Sequence, residues 1–190
     1  MPVNNIFATP ILVRDITGPE LAQIDSEIER ALRWAQGHDT PWEELGKTTF
    51  DFRGCNDVAK YRLESLSQAL AEAIRELCDS TGYGDPYPQL VDSWLNWYGQ
   101  GDFMFEHIHP DRSLSGCYYH RVPEGSGTLK FKNPNPLMQW KAWPADRVRD
   151  QDFRVEPKQG RLVIFPSWVT HRVGPNLGED TRISLAFNWR

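Results

Sequence analysis

The sequence predicts an α+β domain that is mainly β, with two helices packed against an antiparallel sandwich or jelly-roll barrel. Three observations lead there. Helical periodicity is confined to the first half of the chain. From Leu90 onward the apolar period changes from about 3.6 to two. Fourteen prolines and fourteen glycines punctuate the chain, mostly after residue 80, and bound short segments there, as strands and turns require.

The elements follow in order. Phe7 to Val13 reads as a strand. Thr17 and Glu20 have capping-box spacing, and Pro19 sits in the first turn, where a missing N–H costs nothing. Leu21, Ile24, Ile28 and Leu32 then recur at helical spacing as far as Gly37. A second helix carries Leu63, Leu66, Leu70, Ala73 and Leu77 and stops near Gly82. Each helix has a single apolar stripe, so each must pack on another surface. Strands are expected at Leu90 to Tyr98, Phe103 to His109, Leu114 to Arg121, Thr128 to Phe131, Leu162 to Phe165 and Arg182 to Trp189. Residues 132–160, with Asn133-Pro134-Asn135-Pro136, Trp140 and Trp143, read as a long polar loop of the kind that covers a binding site.

Composition narrows the function. The chain has 190 residues, 39% hydrophobic and 25% charged, which suits one soluble domain. The expected organisation is a single domain over 1–190, with a strand and supporting helices in 1–85 and the β core with its site in 90–190. A formal net charge of −5 argues against binding nucleic acid through phosphate neutralisation. Cys55, Cys78 and Cys117 are odd in number and lack metal-ligand spacing, so reduced thiols and a cytoplasmic setting are expected. No apolar run reaches the length of a membrane span, and the first residues lack the pattern of a secretion signal. Aromatics at 12% are compatible with a homodimer interface.

The chemistry rests on histidine. His107-Ile108-His109 places two imidazoles on one strand face, because alternate residues share a face. His171, beyond the strand and turn ending at Pro166, is the third candidate. Imidazole suits first-row transition metals, and three ligands on one face leave positions open for substrate and oxygen. On the last strand Ile183, Leu185, Phe187 and Trp189 form one apolar face. The other face carries Arg182, Ser184, Ala186 and Asn188 and reads as a pocket floor. A guanidinium beside a hydroxyl can clamp a carboxylate with paired charge-assisted hydrogen bonds.

His107-x-His109, then His171, then Arg182-x-Ser184 resembles the iron(II)- and 2-oxoglutarate-dependent oxygenases, whose usual signature is His-x-Asp/Glu, a distal His and Arg-x-Ser. More narrowly, His107-Ile-His-Pro-Asp-Arg-Ser-Leu-Ser-Gly-Cys-Tyr-Tyr119 and Gly160-Arg-Leu-Val-Ile-Phe-Pro-Ser-Trp-Val-Thr-His171 are similar to a largely uncharacterised bacterial and phage family of these enzymes. The similarity spans the chain and is strongest from Trp94 to Trp189. It implies a double-stranded β-helix, cupin-like, with iron(II) in its mouth, 2-oxoglutarate and O2 as co-substrates, and hydroxylation of a small molecule or peptide. Arg182 and Ser184 would hold the distal carboxylate. Tyr119, Tyr98 and Asn96 are further candidates to contact co-substrate.

The departure is His109, which stands where the usual signature has a carboxylate. In one account His107, His109 and His171 form a three-histidine site. A shifted register would instead bring Asp111 in as third ligand, through His109-Pro110-Asp111. In a third account His107 and His171 bind alone with water. The three-histidine account is the expectation. A second functional class stays open at this point, a cupin-like three-histidine metal protein that does not use 2-oxoglutarate. A nucleic-acid dealkylase of the same superfamily is disfavoured by the acidic balance.

Overall fold

In a computed structural model of the chain, the residues described are 8–35, 40–42, 46–50, 54–82, 86–134 and 152–190. The first strand is β1 (Leu12–Asp15), later than the Phe7 to Val13 expected; residues 1–7 lie outside the described set. Helix α1 (Gly18–Ala35) follows, then the short β2 (Thr40–Trp42) and β3 (Gly46–Thr48), the one-turn α2 (Asp57–Lys60) and α3 (Glu64–Thr81). The β half comprises β4 (Leu90–Tyr98), β5 (Met104–His107), β6 (Leu114–Arg121), β7 (Leu129–Lys132), β8 (Asp152–Val155), β9 (Arg161–Pro166), β10 (His171–Val173) and β11 (Arg182–Trp189).

Two sheets result. The larger runs β1-β9-β6-β11-β4-β3-β2, and the smaller runs β5-β10-β7-β8. Every paired strand is antiparallel. The sequence gives no cue for β2, β3 or α2, each four residues or fewer, because elements that short show no period. The expected loop 132–160 contains β8, which pairs with β7 at the sheet edge; Trp140 and Trp143 lie outside the described residues.

The helices cover the outer face of the larger sheet. Ile24, Ile28, Leu66, Leu70, Ala73 and Leu77 bury against Tyr118, Leu162, Ile164, Ile183, Leu185 and Phe187. Burying a large aliphatic or aromatic side chain is worth roughly 1.5–3 kcal/mol, so this layer anchors the apolar face of β11. The amino end of α3 has no side-chain cap of its own. Glu27 of α1 supplies one, its carboxylate accepting from the amides of Ser65 and Leu66 at 3.0–3.4 Å. An acidic group there satisfies orphan donors and complements the helix dipole. At the other end Gly82 adopts φ 77, the left-handed cap that glycine favours.

The inner face of the larger sheet meets the smaller sheet through a second core of Tyr119, Leu129, Phe131, Val155, Val163, Phe165 and Val169. Strand register fixes what lines this interior. Across β4, β11 and β6 the inner face carries Asp92–Asn188–Ser115, then Trp94–Ala186–Cys117, then Asn96–Ser184–Tyr119, and Tyr98 opposite Arg182. The interior is thus a ladder of rows, polar at both ends and small at Ala186 and Cys117.

Candidate metal centre

The three histidines meet at the mouth of the sandwich. His107 and His171 are directly opposite on β5 and β10. Strand β5 ends at His107, so the two-residue parity does not carry His109 inward. A backbone hydrogen bond does, from the His109 amide to the Ser167 carbonyl at 3.0 Å. One ring nitrogen from each imidazole falls within a 4.8 Å cluster. Asp111 is not in that cluster; its backbone takes a left-handed φ of 62 just after Pro110.

Hydrogen bonding fixes the tautomers. His107 Nδ1 lies 2.7 Å from the Phe105 carbonyl, and His171 Nδ1 lies 2.9 Å from the Val169 carbonyl. A carbonyl only accepts, so both Nδ1 atoms carry the proton and both Nε2 lone pairs face inward. His109 Nδ1 lies 2.5 Å from Asn188 Oδ1 and 3.1 Å from Ser115 Oγ. Burial lowers the pKa of all three rings. For His171, burial together with the neighbouring His107 brings it down to about 3. The rings are therefore neutral at neutral pH.

This donor set fits a divalent transition metal. His107 Nε2 and His109 Nε2 stand 3.1 Å apart. Two lone pairs at that separation repel unless a cation lies between them. Two nitrogens bound at about 2.1 Å and at right angles stand roughly 3 Å apart. Imidazole suits iron, zinc, copper or nickel, so the donor set alone does not choose among them.

Deeper in the ladder lies a cation without a counter-charge. Arg182 is 2% exposed. Its Nη1 donates to the Gly127 carbonyl at 2.9 Å, and its guanidinium sits 4.4 Å from the Tyr98 ring centroid. Its Nε is buried with no hydrogen-bond partner, and no carboxylate pairs with Arg182 among the described residues. An unpaired buried charge costs several kcal/mol. One neutral hydrogen bond, about 1 kcal/mol, and one cation–π contact, about 2 kcal/mol when desolvated, do not offset that. An anion at this place would supply the missing counter-charge. Ser184, Asn96 and Tyr119, all buried, occupy the adjoining row. Burial pushes the Tyr98 hydroxyl up to about 12, with Arg182 opposing, and pushes Tyr119 well above the usual range. Both phenols remain protonated donors.

Other expected residues sort plainly. His120 faces away, bonded to Asp25 at 2.9 Å and Glu29 at 3.0 Å on α1. Arg121 pairs with Glu29, and Arg112 with Asp92. Trp168 is exposed, while Trp94 lies beside His109 with ring centroids 6.1 Å apart. His38 lies outside the described residues. Sequence reasoning missed the shell behind His109: Ser115, Ser167 and Asp92, with Asn188 noted only as a polar floor. The available signal was parity, since Asp92 shares the inner face of β4 with Trp94, Asn96 and Tyr98.

A two-sheet jelly-roll sandwich with three imidazoles at its mouth and a buried, unpaired guanidinium beneath is the architecture of a double-stranded β-helix metal protein. The family model described as "Putative 2OG-Fe(II) oxygenase" matches residues 92–188, just over half of the chain, and the chain belongs to that family. Its cofactors are accordingly iron(II) and 2-oxoglutarate. Membership selects the oxygenase over the cupin-like alternative that the residues alone left open.

Solved structures agree on the fold. A prolyl-4-hydroxylase from Pseudomonas putida is 19% identical, with a TM-score of 0.59 over 95% of this chain and 91% of that one. A Trichoplax adhaerens prolyl hydroxylase, solved with a hypoxia inducible factor peptide fragment, is 15% identical with a TM-score of 0.59 over 94% and 82%. The non-heme alpha ketoglutarate dependent carbocyclase SnoK from nogalamycin biosynthesis is 15% identical with a TM-score of 0.65 over 95% and 79%. No curated protein sequence matches. Among the described residues no helix is long and apolar enough to cross a membrane.

Proposed function

We propose that this oxygenase is a hydroxylase acting on a small molecule or peptide, with His107, His109 and His171 as the iron ligands. Arg182 and Ser184 take the distal carboxylate of 2-oxoglutarate, with Tyr98, Tyr119 and Asn96 lining the co-substrate's path. The observation that carries this reading is the buried Arg182, with its Nε unpartnered in the same interior that the three imidazoles cap. The peptide bound to the Trichoplax enzyme supports a peptide as one substrate class. The single domain over 1–190 and a cytoplasmic setting belong to the same reading; the three free cysteines support the latter.

Iron(II) with 2-oxoglutarate supplies the oxidising chemistry, coupling O2 reduction and loss of carbon dioxide to oxidation of a C–H bond. The chain's own residues do the rest. The carbonyls of Phe105 and Val169 orient His107 and His171 so that Nε2 lone pairs face one point. Neutral imidazoles leave the metal's positive charge uncompensated, which favours an anionic co-substrate. Arg182 fixes the co-substrate's far end, and the Phe131–Phe165 core keeps water from the interior. Tyr98 and Tyr119 offer hydroxyl protons without losing them.

The test is anaerobic titration of iron(II)-loaded protein with 2-oxoglutarate, followed by the visible charge-transfer band of bidentate chelation. The band appears in wild type and is lost at matched concentration in Arg182→Ala. Product analysis with candidate peptides and small molecules then looks for one added oxygen with matched succinate. Retention of the full band in Arg182→Ala would remove the carboxylate assignment, and ring closure or epimerisation without oxygen gain would remove the hydroxylase assignment.

A further inference from the structure

His109 is backed by a relay that ends on a carboxylate. Its Nδ1 meets Asn188 Oδ1 at 2.5 Å, and Asn188 Nδ2 donates to Asp92 Oδ2 at 3.2 Å. Asp92 in turn accepts from Arg112 Nε at 2.7 Å. Ser115 Oγ donates to Asn188 Oδ1 at 2.8 Å, lies 3.1 Å from His109 Nδ1 and meets Ser167 Oγ at 2.7 Å. Ser115 and Ser167 are fully buried and Asn188 is 5% exposed. Asp92, Asn188 and Ser115 are register partners on three adjacent strands, so the sheet itself sets the spacing.

The carboxylate dictates every orientation in the chain. The Asp92 carboxylate, already accepting from Arg112, offers acceptor oxygens to Asn188, so the Asn188 amide turns its NH2 toward it. That turns Asn188 Oδ1 toward His109. An acceptor there forces the proton onto Nδ1 and leaves Nε2 free for a metal. The same polarisation draws electron density into the imidazole, as a carboxylate behind a metal-bound histidine does. Among the described residues, the groups behind His107 and His171 are backbone carbonyls.

We propose that Asp92, acting through Asn188, is a positioning residue that fixes the tautomer of His109 and strengthens it as a ligand. The negative charge that the usual third ligand would bring to the metal is held one relay further back, and Arg112 moderates it. This rests on the reading of His109 as a ligand.

The experiment titrates cobalt(II) alone into the full chain and follows its visible d–d absorption, with thermal melts to confirm folding. Asp92→Asn is expected to weaken cobalt binding about tenfold and to shift the bands. Arg112→Gln removes the moderating charge and is expected to tighten binding severalfold, a sign that loss of a mere structural pin would not give. In a His109→Ala background Asp92→Asn should add nothing. Unchanged affinity in folded Asp92→Asn, an equal effect with and without His109, or unchanged or weaker binding in Arg112→Gln each overturns the proposal. Arg112→Gln carries the test by itself if Asp92→Asn does not fold. His109→Ala with wild-type cobalt affinity would instead overturn the three-histidine reading, a distinguishable outcome.

Discussion

Tyr98 and Arg182 are register partners on β4 and β11, and the guanidinium lies 4.4 Å from the centre of the phenol ring. Among the described residues the ring's π face stabilises the cation while no carboxylate does, and it leaves Nε available. A salt bridge in its place would have quenched the site.

This arrangement makes the protein's stability sensitive to its co-substrate. A ligand that binds only the folded state at a hundred times its Kd adds about 2.7 kcal/mol. Iron-loaded wild type, held without oxygen, should gain that much against urea when 2-oxoglutarate is added. Arg182→Ala at the same concentration should gain little. Equal gains in both proteins would mean that the diacid binds elsewhere.

The identity of the third ligand is open to a direct comparison. Asp111 already has a left-handed backbone, which asparagine tolerates, so Asp111→Asn should fold normally. Iron stoichiometry should be unaffected by it and should fall in His107→Ala and His171→Ala. Metal analysis after gel filtration decides the matter, and loss of iron in Asp111→Asn would restore the shifted register.

His120 should matter to folding and not to metal. It is buried and bonds two carboxylates of α1, tying that helix to β6. Hydrogen bonds to charged groups are worth roughly 1.5–3 kcal/mol each, less where the carboxylates are partly exposed. His120→Ala is expected to lose about 2 kcal/mol in denaturant melts with iron content unchanged.

Asp15 ties β1 to the sheet through Arg161 and Lys158, at 2.7 and 2.8 Å. Those hydrogen bonds, Arg161's first, lower its pKa from 3.8 to about 2. A carboxylate depressed in the folded state stabilises above its ordinary value, and the contribution is lost as pH falls through the folded one. The stability gap between wild type and Asp15→Ala should thus be full at pH 5 and close between about 4 and 2. Urea melts across that range provide the check; a gap that widens toward acid would contradict the assignment.

Much of this was legible in the sequence, and the exceptions are instructive. The β6 and β11 boundaries agree with those expected, and the two faces of β11 follow from alternation, because its Ile183, Leu185, Phe187 and Trp189 face is uniformly apolar. The helices were legible from their stripes. His109 was expected in the right place for an incomplete reason: strand parity ends at His107, and a loop hydrogen bond to Ser167 completes the cluster. No local pattern marks such a long-range contact. Asp92 was passed over because an acidic residue near a strand start reads as solvent-facing, although its parity with Trp94, Asn96 and Tyr98 turns it inward, opposite Asn188 of β11.

The two halves of the site ride on different sheets. His107 and His171 belong to the four-stranded layer, Arg182 and Ser184 to the seven-stranded one, and Phe131 meets Phe165 between them at 4.7 Å. The distance from the imidazole cluster to the guanidinium is therefore set by how the two sheets pack, through core side chains such as Phe131 and Phe165. Both rings also pack on His171, at 6.1 and 4.6 Å between centroids, so trimming either would alter the spacing of the two sheets and the support of that imidazole together.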